Sequence, residues 1–213
     1  MRWRNETLLA LAMVLSIMAT SFVPALHVTA AQENGNPESH SLSLTLSTNK
    51  QTYYSGEPIQ FTATLLNASS NGIWVGNTIV FADIPGSFVM TVIDAQGNPM
   101  HGDMAHFAGA GPDFRHVDLF TWIRQTRLVL GPGNFLGMTA KLQDYKYDLT
   151  KPGKYKLQVS YSDIGYKELQ EEGATANKIK KAKQQAIFSL WSGSIRSSEA
   201  WIEVVAGGPD DKS

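Results

Sequence analysis

The sequence contains no cysteine. That excludes a disulfide framework, a thiolate metal site, a cysteine nucleophile and a lipid-modified N-terminal cysteine. Charge is sparse: 17% of residues are Asp, Glu, Lys or Arg, and the formal net charge is -1. No global basic field is present to hold nucleic acid or an anionic membrane. A P-loop, a dinucleotide-binding glycine pattern and internal repeats are missing as well. What is present is apolar material for a core. Hydrophobic residues make up 43% of the 213 positions, on a chain whose length suits one domain with appendages.

The N-terminus reads as an address. Arg2 and Arg4 precede an apolar run, Leu8 to Val23, which Pro24 breaks before the small residues Thr29, Ala30 and Ala31. Basic, apolar and small segments in that order predict a secretory signal peptide over residues 1–30, cut after Ala30 or Ala31. The run falls short of the ~20 residues that a bilayer span needs. The expectation is a secreted or periplasmic protein with no stable membrane anchor after cleavage. Residues 31–40 then read as a flexible leader and 206–213 as a disordered, acidic tail.

Between these ends the dominant pattern has period 2. Leu42, Leu44 and Leu46 alternate with Ser43, Thr45 and Ser47. Ile59, Phe61, Ala63 and Leu65 share a face, and so do Tyr155, Leu157, Val159 and Tyr161. Such alternation marks strands with one buried face, and predicts burial of Leu44, Phe61, Leu65, Val92, Leu157, Val159 and Ile202. Leu119 to Leu130 also has strand character. Glycine, proline and asparagine turns separate the runs. Two segments depart from the pattern: a Gly- and His-rich stretch over 99–117, and 165–191, where Leu169, Ala176, Ile179 and Ala186 recur at helical spacing. Acids lead and lysines trail in the second, which suits a helix dipole. The predicted fold is all-β: an antiparallel immunoglobulin-like β-sandwich over 41–205, with insertions 99–117 and 165–191 and one helical insertion before the last strand.

Several turns fall in a known order. Tyr54-Ser55-Gly56-Glu57-Pro58-Ile59 opens one strand, and Val92-Ile93-Asp94-Ala95-Gln96-Gly97 forms a mid-chain hairpin. Leu149-Thr150-Lys151-Pro152-Gly153-Lys154-Tyr155 and Ser198-Glu199-Ala200-Trp201-Ile202-Glu203-Val204 follow. In this the chain resembles the immunoglobulin-like module of bacterial secreted proteins, above all the BsuPI-type proteinase-inhibitor domain, and macroglobulin-like modules more distantly. The resemblance implies the sandwich fold and points toward protease binding. It transfers no inhibitory residue to a matching position, and the two insertions depart from the family pattern.

Three groups of residues could carry chemistry. His101, Asp103, His106, His116 and Asp118 have the side chains that divalent metals prefer, but their spacing matches no metal motif. The expectation is that they do not converge, and that no metal or cofactor is bound. Trp74, Trp122, Trp191 and Trp201 could stack on sugars or simply pack. Lys178, Lys180, Lys181 and Lys183, together with Trp191, form the predicted partner-binding set. Ile187, Phe188 and Leu190 are further apolar anchors on an insertion expected to project from one end as a helical lid. The functional expectation is a secreted, non-enzymatic module that recognises a protein partner, with protease inhibition as the special case. A metal-binding protein or metal-dependent enzyme using the His-rich loop, and a carbohydrate-binding accessory module, are the alternatives.

Overall fold

The computed structural model describes residues 41–78, 82, 85–103 and 112–207. The signal-peptide and leader readings of 1–40, most of the tail, and His106 lie outside them. Among the described residues no helix is long and apolar enough to cross a membrane.

The described residues form three sheets, and these do not close into a sandwich. In the first, β3 (Gln60–Asn67) lies between β1 (Leu42–Thr48) and β7 (Phe135–Lys141), all antiparallel. Leu44 pairs with Leu65, and Ala63 with Met138. The second sheet is organised by β8 (Gly153–Asp163). It pairs along most of its length with β5 (Ser87–Ile93), near its start with β11 (Ala200–Val205) and near its end with β10 (Gly193–Arg196). The short β2 (Thr52–Tyr54) runs parallel to β11. In the third sheet β4 (Ile73–Gly76) is flanked by antiparallel β6 (Arg127–Leu130) and parallel β9 (Ser189–Leu190). Helices α1 (Leu119–Thr126), α2 (Tyr166–Glu171) and α3 (Ala176–Gln185) complete the fold, with a 3-10 turn over Leu142–Tyr145.

Two hydrophobic clusters result. The larger draws on all three sheets and contains every residue that alternation marked as core: Leu44, Phe61, Leu65, Val92, Leu157, Val159 and Ile202. The smaller joins the helices to the other face of β4. Phe114, Leu119, Ile123, Leu169, Ala174, Ile179, Ala182 and Leu190 pack there, with Trp74 and Trp122 against them. Sheet alternation explains the division. Ile73 and Val75 point into the large cluster, while Trp74 between them points toward the helices.

The immunoglobulin-like, all-β antiparallel sandwich with one helical insertion is therefore corrected to a mixed α/β fold with three sheets and three helices. The physical reasons are local. Leu119 to Thr126 is β-branched and aromatic in part, yet it folds as a helix. The Asp118 carboxylate accepts the Thr121 N–H at 2.9 Å, and Leu119 and Ile123 bury one helical face at a spacing of i, i+4. The helix ends where Arg127 turns extended, at φ -127 and ψ 153. The 165–191 segment makes two helices because Gly173, at φ +103, stops α2, and Thr175 caps α3. Two parallel strand pairs, β2 with β11 and β4 with β9, also depart from an antiparallel plan.

Candidate binding surface

α3 reads ANKIKKAKQQ, with four lysines and no acidic residue. Ile179 and Ala182 turn inward, which sends the lysines toward solvent. They have different fates. The Lys178 Nζ donates to the carbonyls of Phe114 at 3.1 Å, Arg115 at 2.8 Å and Val117 at 2.8 Å, so it ties the segment before α1 to the helix. Lys181 faces Asp118 at 3.7 Å. Lys183 lies 5.0 Å from the centre of the Tyr166 ring. Lys180 is exposed and has no ion-pair partner among the described residues.

A groove of about 470 Å3 opens beside the C-terminal end of α3, lined by Tyr166, Lys167, Lys183, Ile187, Phe188 and Ser192 among others. Ile187 is 88% exposed at its rim. A smaller groove of about 270 Å3 runs between α1 and α3 past His116, Phe120, Lys178 and Lys181. The helical segment does not project as a lid. It lies on the third sheet, donates β9 to it and supplies Leu169, Ile179, Ala182 and Leu190 to the smaller cluster.

Trp191, one of the predicted partner-binding residues, lies in the interior. It is 1% exposed, stacked obliquely on Tyr161 with ring centres 5.6 Å apart, and its backbone N–H donates to the Trp74 carbonyl at 3.0 Å. Leu190 is buried too, and Phe188 is half-buried, which leaves Ile187 as the exposed anchor. The tryptophans do not share a platform. Trp122 meets Phe114 edge-on at 5.0 Å, Trp74 packs on the smaller cluster, and Trp201 stands exposed on β11 under Lys156.

The described residues of the His-rich loop lie apart. His101 and Asp103 are exposed, and Asp103 pairs with Lys146. His116 stands 3.7 Å from Asp113, whose carboxyl is held at about 2 chiefly by hydrogen bonds from Arg115. Asp118 is engaged as the cap of α1. Among the described residues no group of three potential metal ligands gathers. No protein-family model matches the chain, and no curated protein matches it.

One buried polar cluster escaped the sequence reading. Asp163, at the end of β8, accepts the Arg127 guanidinium at 2.8 Å and the Ile164 N–H at 2.8 Å on Oδ1. Its Oδ2 accepts the Gly76 N–H at 2.8 Å and faces the Tyr161 hydroxyl at 3.4 Å. Burial pushes the Asp163 carboxyl above its ordinary value, opposed by the Arg127 charge and the two amides. Burial raises the Tyr161 hydroxyl as well, and the neighbouring carboxylate adds to the effect. The Arg127 guanidinium also lies 4.8 Å from the Trp122 ring. The arrangement clamps the second sheet to the third and to α1. A signal for it was present: Asp163 continues the buried phase of Tyr155, Leu157, Val159 and Tyr161, a charge where the pattern demands an apolar side chain.

Proposed function

We propose that this protein is a secreted, non-enzymatic binding module that recognises an acidic protein partner through the exposed face of α3. The observation that carries the reading is a ten-residue helix with four lysines and no acid, next to an isoleucine that is 88% exposed. Charge supplies steering and register, and an exposed apolar side chain supplies the contact that exposed ion pairs do not. The basic–apolar–small order of the N-terminus supports export. Protease inhibition is the special case that the resemblance suggests, and a panel of purified proteases tests it directly.

The test is affinity capture from the source's envelope and culture fluid. Wild-type chain is compared with Lys180→Glu/Lys181→Glu/Lys183→Glu and with Ile187→Ser. The reading expects one captured protein whose retention falls roughly tenfold or more in the charge-reversed variant at low salt, and falls for wild type as salt rises. Equal retention by both folded variants would overturn it.

A further inference from the structure

Among the described residues the first sheet leaves one edge unpaired. Leu142 donates its N–H to the Ile59 carbonyl, and Asn67 donates to the Asn134 carbonyl, which fixes the phase of the β3–β7 ladder. In an antiparallel pair the main-chain groups of alternate residues face the partner. Those of Leu136, Met138 and Ala140 therefore face β3. Those of Phe135, Gly137, Thr139 and Lys141 face away, and all four residues are exposed. No other described strand pairs with β7.

The opposite edge of the sheet differs. Ala68 donates to the Ser41 carbonyl and Asn49 to the Gln60 carbonyl, so Leu42, Leu44 and Leu46 of β1 carry the outward groups. Those three leucines are at most 3% exposed, and Thr48, the last outward-facing residue of β1, is half-buried, so the fold itself covers most of that edge. β7 is lightly protected: no proline and no acidic residue interrupts Phe135 to Lys141, and its single charge, Lys141, stands at the end.

We propose that β7 is a self-pairing edge, through which two copies of this chain join antiparallel β7 strands, centred on Met138, into one continuous sheet. The register follows from the side chains and the ladder together. Centring on Met138 places Phe135 opposite Lys141 of the second copy and Gly137 opposite Thr139, so all four outward-facing residues gain main-chain partners. Shifting the centre to Gly137 or Thr139 leaves the end of each strand unpaired. Phe135 is 68% exposed in the single chain, and the lysine stem and ammonium of the second copy cover its ring. The two lysines fall at opposite ends of the strand pair, so like charges do not meet. The axis is twofold and the contact closes on itself, which limits assembly to a dimer. One strand pair makes a small interface, so the dimer is concentration-dependent.

Sedimentation equilibrium of the purified full chain, as exported, tests the pairing. The apparent mass should climb toward twice the monomer with concentration. Thr139→Pro removes an outward N–H that no described strand of the same chain uses, so it should fold and remain monomeric. Cross-linking tests the register on a cysteine-free background. Residues opposite each other in a hydrogen-bonded pair have Cα atoms ~5.5 Å apart, within disulfide reach. A mixture of Phe135→Cys and Lys141→Cys chains should form a disulfide-linked dimer under oxidising conditions. Neither variant alone should, because the two copies of residue 135 lie about 20 Å apart. If Thr139→Pro fails to fold, the cysteine pair decides alone. A wild-type chain that stays at monomer mass, a folded Thr139→Pro that dimerises like wild type, or Phe135→Cys cross-linking to itself as readily as to Lys141→Cys overturns the proposal.

Discussion

Arg127 and Asp163 meet in a 2.8 Å ion pair whose side chains are 5% and 0% exposed, although one belongs to β6 and the other ends β8. The pair joins two sheets that share no strand. Arg127→Met would leave the carboxylate buried without its cation, which typically costs ~3–5 kcal/mol. Denaturant unfolding should show that loss. A shift under about 1 kcal/mol would mean that water reaches Asp163 once the guanidinium is gone.

The same junction depends on two glycines. A Cβ on Gly76 would lie 2.3 Å from the Gly86 Cα, and Gly86 itself has φ +81. Gly76→Ala therefore has to push backbone against backbone where the Gly76 N–H reaches both Asp163 and Tyr161. Overpacking of this kind costs ~1–3 kcal/mol or more. Gly76→Ala should be much less stable in thermal unfolding than an exposed alanine substitution such as Ser194→Ala. Equal midpoints would show that the loop carrying Gly86 yields freely.

The strands were legible because one face of each is buried. Leu44, Leu65, Val159 and Ile202 declare their environment through period 2, and that pattern survives whatever the sheets do next. The number of layers was not legible, since period 2 says that a face is covered and not by what. Trp74 is the clearest example. It alternates with Ile73 and Val75 as any sheet residue would, yet what covers it is a helical layer supplied from 114–126 and 164–190. α1 was misread because Phe120, Thr121, Trp122 and Ile123 all favour strands, and one aspartate cap with one i, i+4 apolar pair outweighs them. The lysine run of α3 is visible in the sequence, but only the packing shows that Trp191 belongs to the interior.

Asp118 gives a pH-dependent prediction. Its carboxylate caps α1, and its affinity for a proton is lowered first by the Thr121 amide, with Lys181 adding to the effect. A carboxyl lowered in the folded state contributes stability above its unfolded value, and that contribution is lost as pH falls through the folded one. Asp118→Asn keeps a capping oxygen without the titrating charge. It should therefore leave α1 intact at neutral pH and flatten the acid-side decline in stability, while Asp118→Ala should lower stability at neutral pH as well. Thermal midpoints from neutral pH down to acid separate the three chains. An Asn variant with the wild-type acid profile would assign that decline elsewhere.

Lys178 and Trp191 should behave differently from Lys180, Lys181 and Lys183. Trp191→Ala empties a large volume beside Tyr161, a change that costs ~3–5 kcal/mol in a packed interior. Lys178→Ala releases three carbonyls at once and with them the segment from Phe114 to Val117. Amide exchange should accelerate there and at the start of α1, because Asp118 follows directly. Lys180, Lys181 and Lys183 bond no backbone carbonyl, and the exposed contacts of Lys181 with Asp118 and of Lys183 with Tyr166 are worth about 1 kcal/mol or less each, so reversing the three should move the unfolding midpoint less than Lys178→Ala does. The proposed function then requires the opposite ranking for binding: charge reversal at 180, 181 and 183 weakens capture, whereas Trp191→Ala, studied at a temperature where it remains folded, binds as wild type does. If folded Trp191→Ala loses the partner and the charge-reversed chain keeps it, recognition depends on the sheet junction rather than on the face of α3.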